Sequence, residues 1–135
     1  MSYDVMVIDP ATVPTTPYAV FHQWYDKATE WAEPRSYSST AGSSEPITAF
    51  YNTIIEKFPD MNGEWDDSLE DETYMTDYGI GSDHIYMGFA WSKVEEAEPL
   101  CISLAHQLGL AFVDVSGTGD ILMPDGTRIQ RPKNL

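Results

Sequence analysis

The first apolar run of the chain, Tyr3 to Asp9, sets the strongest constraint on the fold. It reads Tyr-Asp-Val-Met-Val-Ile-Asp, is rich in β-forming residues and is ended by Pro10. In its second half both alternating faces are apolar, which is typical of an interior strand. The sequence therefore predicts a sheet with this segment inside it.

Two segments with helical spacing follow the strand. The first begins at Thr16-Pro17, residue types suited to the N-cap and the first helical position, and Pro34 closes it. The second carries an apolar stripe from Ile47 to Phe58 with spacing i, i+3, i+4, i+7, and Pro59 ends it. Between the helices, residues 35–44 are rich in Ser, Thr and Gly and predict a loop.

The second half of the chain predicts a hairpin, a helix and two further strands. Gly81-Ser82 suits the hairpin turn, and Trp91 continues the alternating apolar face of the second hairpin strand. Ser92 and Glu95 have the spacing of a capping box, and Gly109 suits the position after the helix. The predicted elements are strands 76–80 and 83–91, a helix over 92–108, and strands 110–115 and 121–123.

The resulting order is β-α-α-β-β-α-β-β. Without the extra helix and the last strand, it is the β-α-β-β-α-β order of the split βαβ, or ferredoxin-like, arrangement. We therefore expect one α+β domain over residues 1–127, with a mainly antiparallel sheet and its helices on one face. Residues 128–135 are polar and predict a frayed C-terminal tail.

The charge of the chain excludes several classes of partner. The formal net charge is −15, and residues 1–127 hold 22 acidic side chains against 4 basic ones, a balance of −18. Such a surface repels nucleic acid and anionic lipid, and it attracts a basic protein most strongly at low salt. The alternative is that the acidity only keeps the protein soluble.

The compartment is predicted from three features. Cys101 is the single cysteine, so no intramolecular disulfide can form, which suits a reducing cytoplasm. The first residues lack the basic and apolar regions of a signal peptide. No apolar stretch approaches the ~20 residues that span a bilayer.

The segment Asp60 to Asp83 is the candidate recognition surface. It holds nine acidic side chains and no Lys or Arg, together with Trp65, Tyr74 and Tyr78. Trp and Tyr are the residue types that most often anchor protein interfaces. The predicted binding residues are Glu64, Trp65, Asp66, Asp67, Glu70, Asp71, Glu72, Tyr74 and Asp77. A mobile acidic connector without a partner remains the alternative.

The sequence shows no decisive catalytic, metal or cofactor motif. His22, His84 and His106 are far apart, and the loop at Asp60 lacks the ligand spacing of an EF-hand. The two glycines in residues 116–120 do not form a phosphate-binding pattern and predict a tight turn. Cys101 lies on the apolar face of its predicted helix, which favours a core thiol over a nucleophile.

Several stretches together carry a resemblance to a known group. They are Ser2 to Pro10, Trp24-Tyr25 with Trp31, Phe58 to Gly63, Asp77 to Gly81 with Ile85-Tyr86, Phe89 to Ser92, and Phe112 to Gly117. The chain resembles, from residue 2 to about 123, small and mostly uncharacterised bacterial proteins. Some of these are similar to immunity proteins of polymorphic toxin and contact-dependent growth inhibition systems. The resemblance implies a cytoplasmic antitoxin that binds one cognate toxin domain, without catalytic residues or a cofactor.

The function expected from these observations is non-enzymatic inhibition of a bacterial toxin, most simply a basic nuclease whose phosphate-binding groove the carboxylates would occupy. One alternative is a small ferredoxin-like enzyme or ligand-binding domain with a pocket near His84 or His106. Another is an acidic structural domain of a larger assembly.

Overall fold

The computed structural model of the protein describes residues 2–63 and 72–135. These residues form a small α+β domain whose six strands make one antiparallel sheet in the order β2-β3-β1-β4-β5-β6. The elements are β1 Ser2–Ile8, α1 Tyr18–Ala28, α2 Glu45–Ile54, β2 Asp77–Ile80, β3 His84–Ala90, α3 Val94–Gln107, β4 Ala111–Val113, β5 Ile121–Leu122 and β6 Arg128–Ile129. Two short 3₁₀ turns lie at Glu72–Tyr74 and Trp91–Lys93.

The interior position of β1 is confirmed. It pairs with β3 on one side and with β4 on the other, so that Met6 lies opposite both Tyr86 and Val113. Residues 5–8 are almost completely buried, as their unbroken apolar run predicts.

The prediction that all helices pack on one face is wrong. One face of β1, with Val5 and Val7, packs against α2 and α3, whereas Met6 and Ile8 on the opposite face pack with α1. Ile47, Phe50 and Ile54 on the apolar stripe of α2 are buried as predicted. Phe58, predicted as the end of that stripe, is also buried but lies four residues beyond the end of the helix. Because β1 is apolar on both faces, each face needs a cover, and α1 supplies the second one.

The start of α3 differs from the prediction. Ser92 lies in the 3₁₀ turn, the N-cap residue is Lys93, and no side chain caps the helix. Trp91, expected on a strand face, is 54% exposed and meets the edge of Tyr3. The 3₁₀ turn includes Ser92, whereas Glu95 lies in the first turn of α3, so the two residues do not form the predicted capping box.

The end of α3 follows the prediction. Gly109 has φ 73°, and its N–H bonds to the carbonyl of His106, while the N–H of Leu110 bonds to that of Ala105. This is the Schellman pattern that a glycine after a helix favours.

A sixth strand occupies the segment that the sequence predicted as frayed. Arg128 and Ile129 pair with β5. The turn before them contains Gly126 at φ 91°, and the Asp125 carboxylate accepts a hydrogen bond from the N–H of Thr127. Asp-Gly is a strong hairpin signal, and here it outweighs the polarity of the flanking residues.

Candidate functional site

Six of the nine predicted binding residues lie outside the described residues: Glu64, Trp65, Asp66, Asp67, Glu70 and Asp71. Glu72, Tyr74 and Asp77 are described. Glu72 is exposed at the start of the 3₁₀ turn.

Tyr74 packs toward α3. Its ring lies 5.5 Å from that of Phe58, and its hydroxyl donates to both carboxylate oxygens of Glu96 at 2.9 and 3.0 Å. Lys93 Nζ lies 4.2 Å from the centre of the same ring. The hydrogen bond from Tyr74, helped by nearby lysines, lowers the pKa of Glu96 below its ordinary value. Tyr74 is thus engaged within the domain.

Asp77 lies on the opposite face of the sheet from Tyr74. It alternates along β2 with Tyr78, whose side chain is in the core beneath α2 and α3. Its carboxylate accepts a hydrogen bond from the side-chain amide of Asn62 at 3.3 Å. The structure therefore does not bring Tyr74 and Asp77 together on one binding surface.

A concave site lies beside Asp77, on the face of the sheet that α1 covers farther along. Its volume is about 330 Å³. We call it the Asp4 groove, after a carboxylate on β1, and its main lining residues are Asp4, Trp31, Tyr37, Asp77, Gly79, Tyr86 and Gly88.

Two strand glycines form the floor of the Asp4 groove. A Cβ on Gly79 would lie 2.9 Å from Cη2 of Trp31, and one on Gly88 would lie 3.0 Å from the hydroxyl oxygen of Ser2. Glycine inside a strand weakens it unless another group approaches closely. Here Trp31 packs directly over Gly79 and Ser2 packs directly over Gly88, and the two glycines make room for them.

Trp31 is held in this position by aromatic contacts. Its φ is 54°, a left-handed conformation that costs a bulky residue about 1–2 kcal/mol. Its ring meets those of Tyr37 and Tyr86 at centroid distances of 4.9 and 5.9 Å, nearly at right angles. These edge-to-face contacts offset the backbone strain and fix the wall of the groove.

The Asp4 carboxylate is oriented by two hydroxyl donors. Ser2 Oγ donates to Oδ1 and the Tyr86 hydroxyl donates to Oδ2, each at 2.6 Å. Burial and this hydrogen bond raise the pKa of Tyr86, so the phenol stays protonated and keeps donating. Asp4 therefore presents a fixed negative group to the groove.

A second concave site, the His84 pocket, lies at the β2–β3 turn. Its volume is about 300 Å³. Its lining residues include Trp24, Lys27, Glu30, Glu33, Asp83 and His84. His84 is 2% exposed; its Nδ1 lies 2.9 Å from Asp83 Oδ1, and its Nε2 has no hydrogen-bond partner among the described residues. A buried nitrogen without a partner is unusual in a folded protein and singles out His84 within this pocket.

The other candidate side chains lie apart from both sites. His22 Nδ1 lies 3.5 Å from Asp26, and His106 Nε2 lies 3.4 Å from the carbonyl of Leu122. Cys101 is buried in the core, as its helical position predicts. Within residues 2–63 and 72–135, no group of three or more His, Cys, Asp or Glu side chains is placed to hold a metal ion.

No protein-family model matches the chain, and no solved structure gives a significant match. Among the helices described, none has the length and apolar character needed to cross a membrane.

The sequence analysis missed the Asp4 groove. Its carboxylates and aromatic residues come from β1, the loop after α1, β2 and β3, and only the strand register unites them. One signal was present: Gly79 and Gly88 interrupt predicted strands, and a strand glycine often marks a close approach of another group.

Proposed function

We propose that the protein is a non-enzymatic antitoxin that binds and neutralises a basic bacterial toxin domain, one to one, in the cytoplasm. The inhibitor would act by occupying the cationic groove in which the toxin holds its substrate. A nuclease is the simplest such toxin, because its substrate phosphates require a basic groove.

The observation that carries this proposal is the kind of side chain that donates hydrogen bonds to the carboxylates. Within the described residues, ion pairs with Lys or Arg reach only Glu96 and Asp120. Tyrosine hydroxyls donate to four carboxylates, and of these only Glu96 also has a lysine partner among the described residues. These pairs are Tyr3–Asp114, Tyr51–Asp60, Tyr74–Glu96 and Tyr86–Asp4.

A tyrosine donor has a different electrostatic consequence from a lysine or arginine donor. The neutral hydroxyl satisfies the hydrogen-bonding capacity of the carboxylate and leaves its charge in place. The net charge of −15 gives the protein a negative surface potential, and Asp4 and Asp114 keep their charge without a lysine or arginine partner among the described residues. Such a potential increases the association rate with a basic partner, and this increase becomes smaller as the salt concentration rises.

The fold proposed for this antitoxin is a ferredoxin-like variant. Four strands in the antiparallel order β4-β1-β3-β2, with α2 and α3 on one face, support this proposal. In this description α1 on the opposite face, β5 and β6 are additions to the basic unit. The additions cover the second face of β1 and extend one edge of the sheet.

The test combines toxin rescue with association kinetics. The protein encoded beside this chain's gene would be expressed as the candidate toxin, and co-expression of this chain should restore growth. Replacing Asp66, Asp67, Asp71 and Glu72 by Asn or Gln should slow association about tenfold at low salt and flatten its salt dependence.

A charge-matched control separates local recognition from total charge. Replacing Asp26, Glu30, Glu56 and Asp125 by their amides removes the same four charges elsewhere on the surface. Both variants are compared with the wild type from about 50 to about 500 mM salt, a range over which the Debye length shortens severalfold. If both associate at the wild-type rate throughout, electrostatic capture is wrong. If no growth rescue occurs, the antitoxin function itself is wrong.

A second function is favoured by the His84 pocket. The unpartnered Nε2 and the flanking Trp24 ring, 5.2 Å from the imidazole, suit a small planar ligand with one hydrogen-bonding group. A fragment screen by NMR, comparing the chain with a His84→Gln variant, tests this alternative. Saturable binding that the variant abolishes would favour a ligand-binding domain over an antitoxin.

A further inference from the structure

We propose that the Asp4 groove is a guanidinium site that receives an arginine side chain of a protein partner. The inference deepens the proposed function and rests on it, because it names the group by which the basic toxin would be anchored. The size of the groove, its aromatic walls and its charge together determine which ligand fits.

The negative charge of the groove favours a cationic ligand. Asp4 and Asp77 contribute carboxylates to it, and no Lys or Arg is among the described residues that line it. No described lysine or arginine forms an ion pair with either carboxylate. An anion placed there would be repelled, whereas a cation would be attracted by both groups.

The walls of the groove favour a planar cation. The rings of Tyr37 and Tyr86 each stand nearly perpendicular to that of Trp31, and all three residues line the groove. A guanidinium is planar, weakly hydrated and stacks on aromatic faces, and a cation over Trp or Tyr gains about 0.5–2 kcal/mol. The compact and strongly hydrated ammonium of lysine loses more on entering such a site.

The Asp4 carboxylate is arranged to receive a two-pronged donor. Ser2 and Tyr86 each occupy one lone-pair position on one of its oxygens. A carboxylate has about four such positions, so each oxygen can accept one further hydrogen bond. The two hydroxyls also hold the group in one orientation, which reduces the entropy lost when a guanidinium binds both oxygens.

The location of the groove connects it with the acidic segment. Asn62, which donates to Asp77 at the edge of the groove, lies two residues before Glu64 in the sequence. Acidic side chains thus follow the groove directly in the chain. The segment would draw a basic partner toward the domain, and the groove would hold one arginine of that partner.

The experiment uses a small probe, so that its result does not depend on the toxin. The ¹⁵N-labelled full chain is titrated with acetyl-Gly-Arg-Gly-amide and with the same peptide containing citrulline, a neutral isostere of arginine. The arginine peptide should shift the amide signals of Gly79 and Gly88 and the indole signal of Trp31, saturably, with a Kd on the order of millimolar. The citrulline peptide should leave them unchanged.

Three variants localise the effect. Asp4→Asn and Asp77→Asn should each weaken the arginine peptide at least fivefold, whereas Asp125→Asn, an equal change of charge at an exposed turn, should not. Asp77 is exposed, so its variant keeps the fold even if Asp4→Asn does not. Equal shifts with citrulline, or equal weakening by Asp125→Asn, would overturn the inference.

The toxin complex separates failure of the site from failure of the function. In that complex Asp77→Asn should increase the dissociation rate at least fivefold, and an unchanged rate would overturn the anchoring role. If the dissociation rate is unchanged but the toxin is still bound and neutralised, the antitoxin function stands and only the anchoring role of the groove is wrong. A chain that binds the arginine peptide but rescues no growth refutes the antitoxin function alone.

Discussion

The imidazole of His84 lies against the backbone of Gly81, so closely that a Cβ on Gly81 would fall 2.6 Å from Nδ1 and from Nε2 of the ring. The same two residues close the hairpin, since the N–H of Gly81 donates to the carbonyl of His84 at 2.8 Å. The ring has little freedom to move, because Trp24 and Trp31 flank it and it is buried. The glycine is therefore required for space.

A Gly81→Ala substitution should consequently destabilise the protein by about 1–3 kcal/mol, the usual cost of overpacking a core. Urea unfolding followed by circular dichroism would measure the loss. Gly63→Ala is the matched control, since a Cβ there meets only ordinary contacts at 3.4 Å or more. Equal stability of the two variants would show that the His84 ring can move aside.

The second prediction concerns Tyr51 and Asp60. The Tyr51 hydroxyl donates to Asp60 Oδ2 at 2.8 Å, and Asp60 is only 6% exposed. Tyr51→Phe leaves one buried carboxylate oxygen without this donor and should cost about 1–3 kcal/mol. A double-mutant cycle with Asp60→Ala, which removes the acceptor, measures the coupling, which should exceed about 0.5 kcal/mol. Additive effects of the two substitutions would mean that the hydrogen bond contributes no net stability.

The elements that sequence predicted best are those fixed by local apolar periodicity. The apolar run of β1 gave its interior position, and the stripe from Ile47 to Phe58 gave the buried face of α2. Both depend on neighbours within one segment. The face of the sheet on which each helix packs is a different matter, because β1 is apolar on both faces and can be covered on either. Periodicity alone therefore could not place α1.

The candidate sites illustrate a second limit of sequence-based prediction. The acidic segment was visible because its residues are contiguous. The Asp4 groove was invisible because Asp4 and Tyr86 are 82 positions apart and meet through the β1–β3 register. A single sequence contains no direct signal of register between strands that are distant along the chain.

The third prediction is a pH dependence of stability at Asp120. The backbone N–H of Arg131 donates to its carboxylate at 2.8 Å and the Arg128 guanidinium donates at 3.0 Å. The first of these bonds, with a smaller contribution from Arg128 and against a partial opposing effect of burial, lowers the pKa of Asp120. A lowered pKa in the folded state stabilises the protein above the unfolded value of about 3.9 and ceases to do so as pH falls through the folded value.

Asp120→Asn should therefore cost about 1–2 kcal/mol at pH 7, since a neutral amide accepts weaker hydrogen bonds than a carboxylate. The difference from the wild type should be smaller at pH 2 than at pH 7, because the wild-type carboxylate takes up a proton as pH falls through its folded-state pKa. Urea unfolding at both pH values measures this change. Asp26→Asn, at an exposed carboxylate, should alter stability by less than about 0.5 kcal/mol at either pH. A pH-independent loss for Asp120→Asn would contradict the electrostatic origin.

The last prediction concerns the Cys101 thiol, which is completely buried on the inner face of α3. Burial, together with the nearby Glu98 carboxylate, raises the pKa of this thiol. Because the thiolate is the reactive form, the folded protein should not react with a disulfide reagent such as DTNB at pH 8 within minutes, whereas the unfolded chain should react completely. A Cys101→Ala, Ser103→Cys double variant moves the thiol two positions to an exposed site on the same helix and should react at once. Rapid labelling of folded wild-type protein, at the rate of that control, would mean that α3 opens locally far more easily than its packing against β4 and β1 implies.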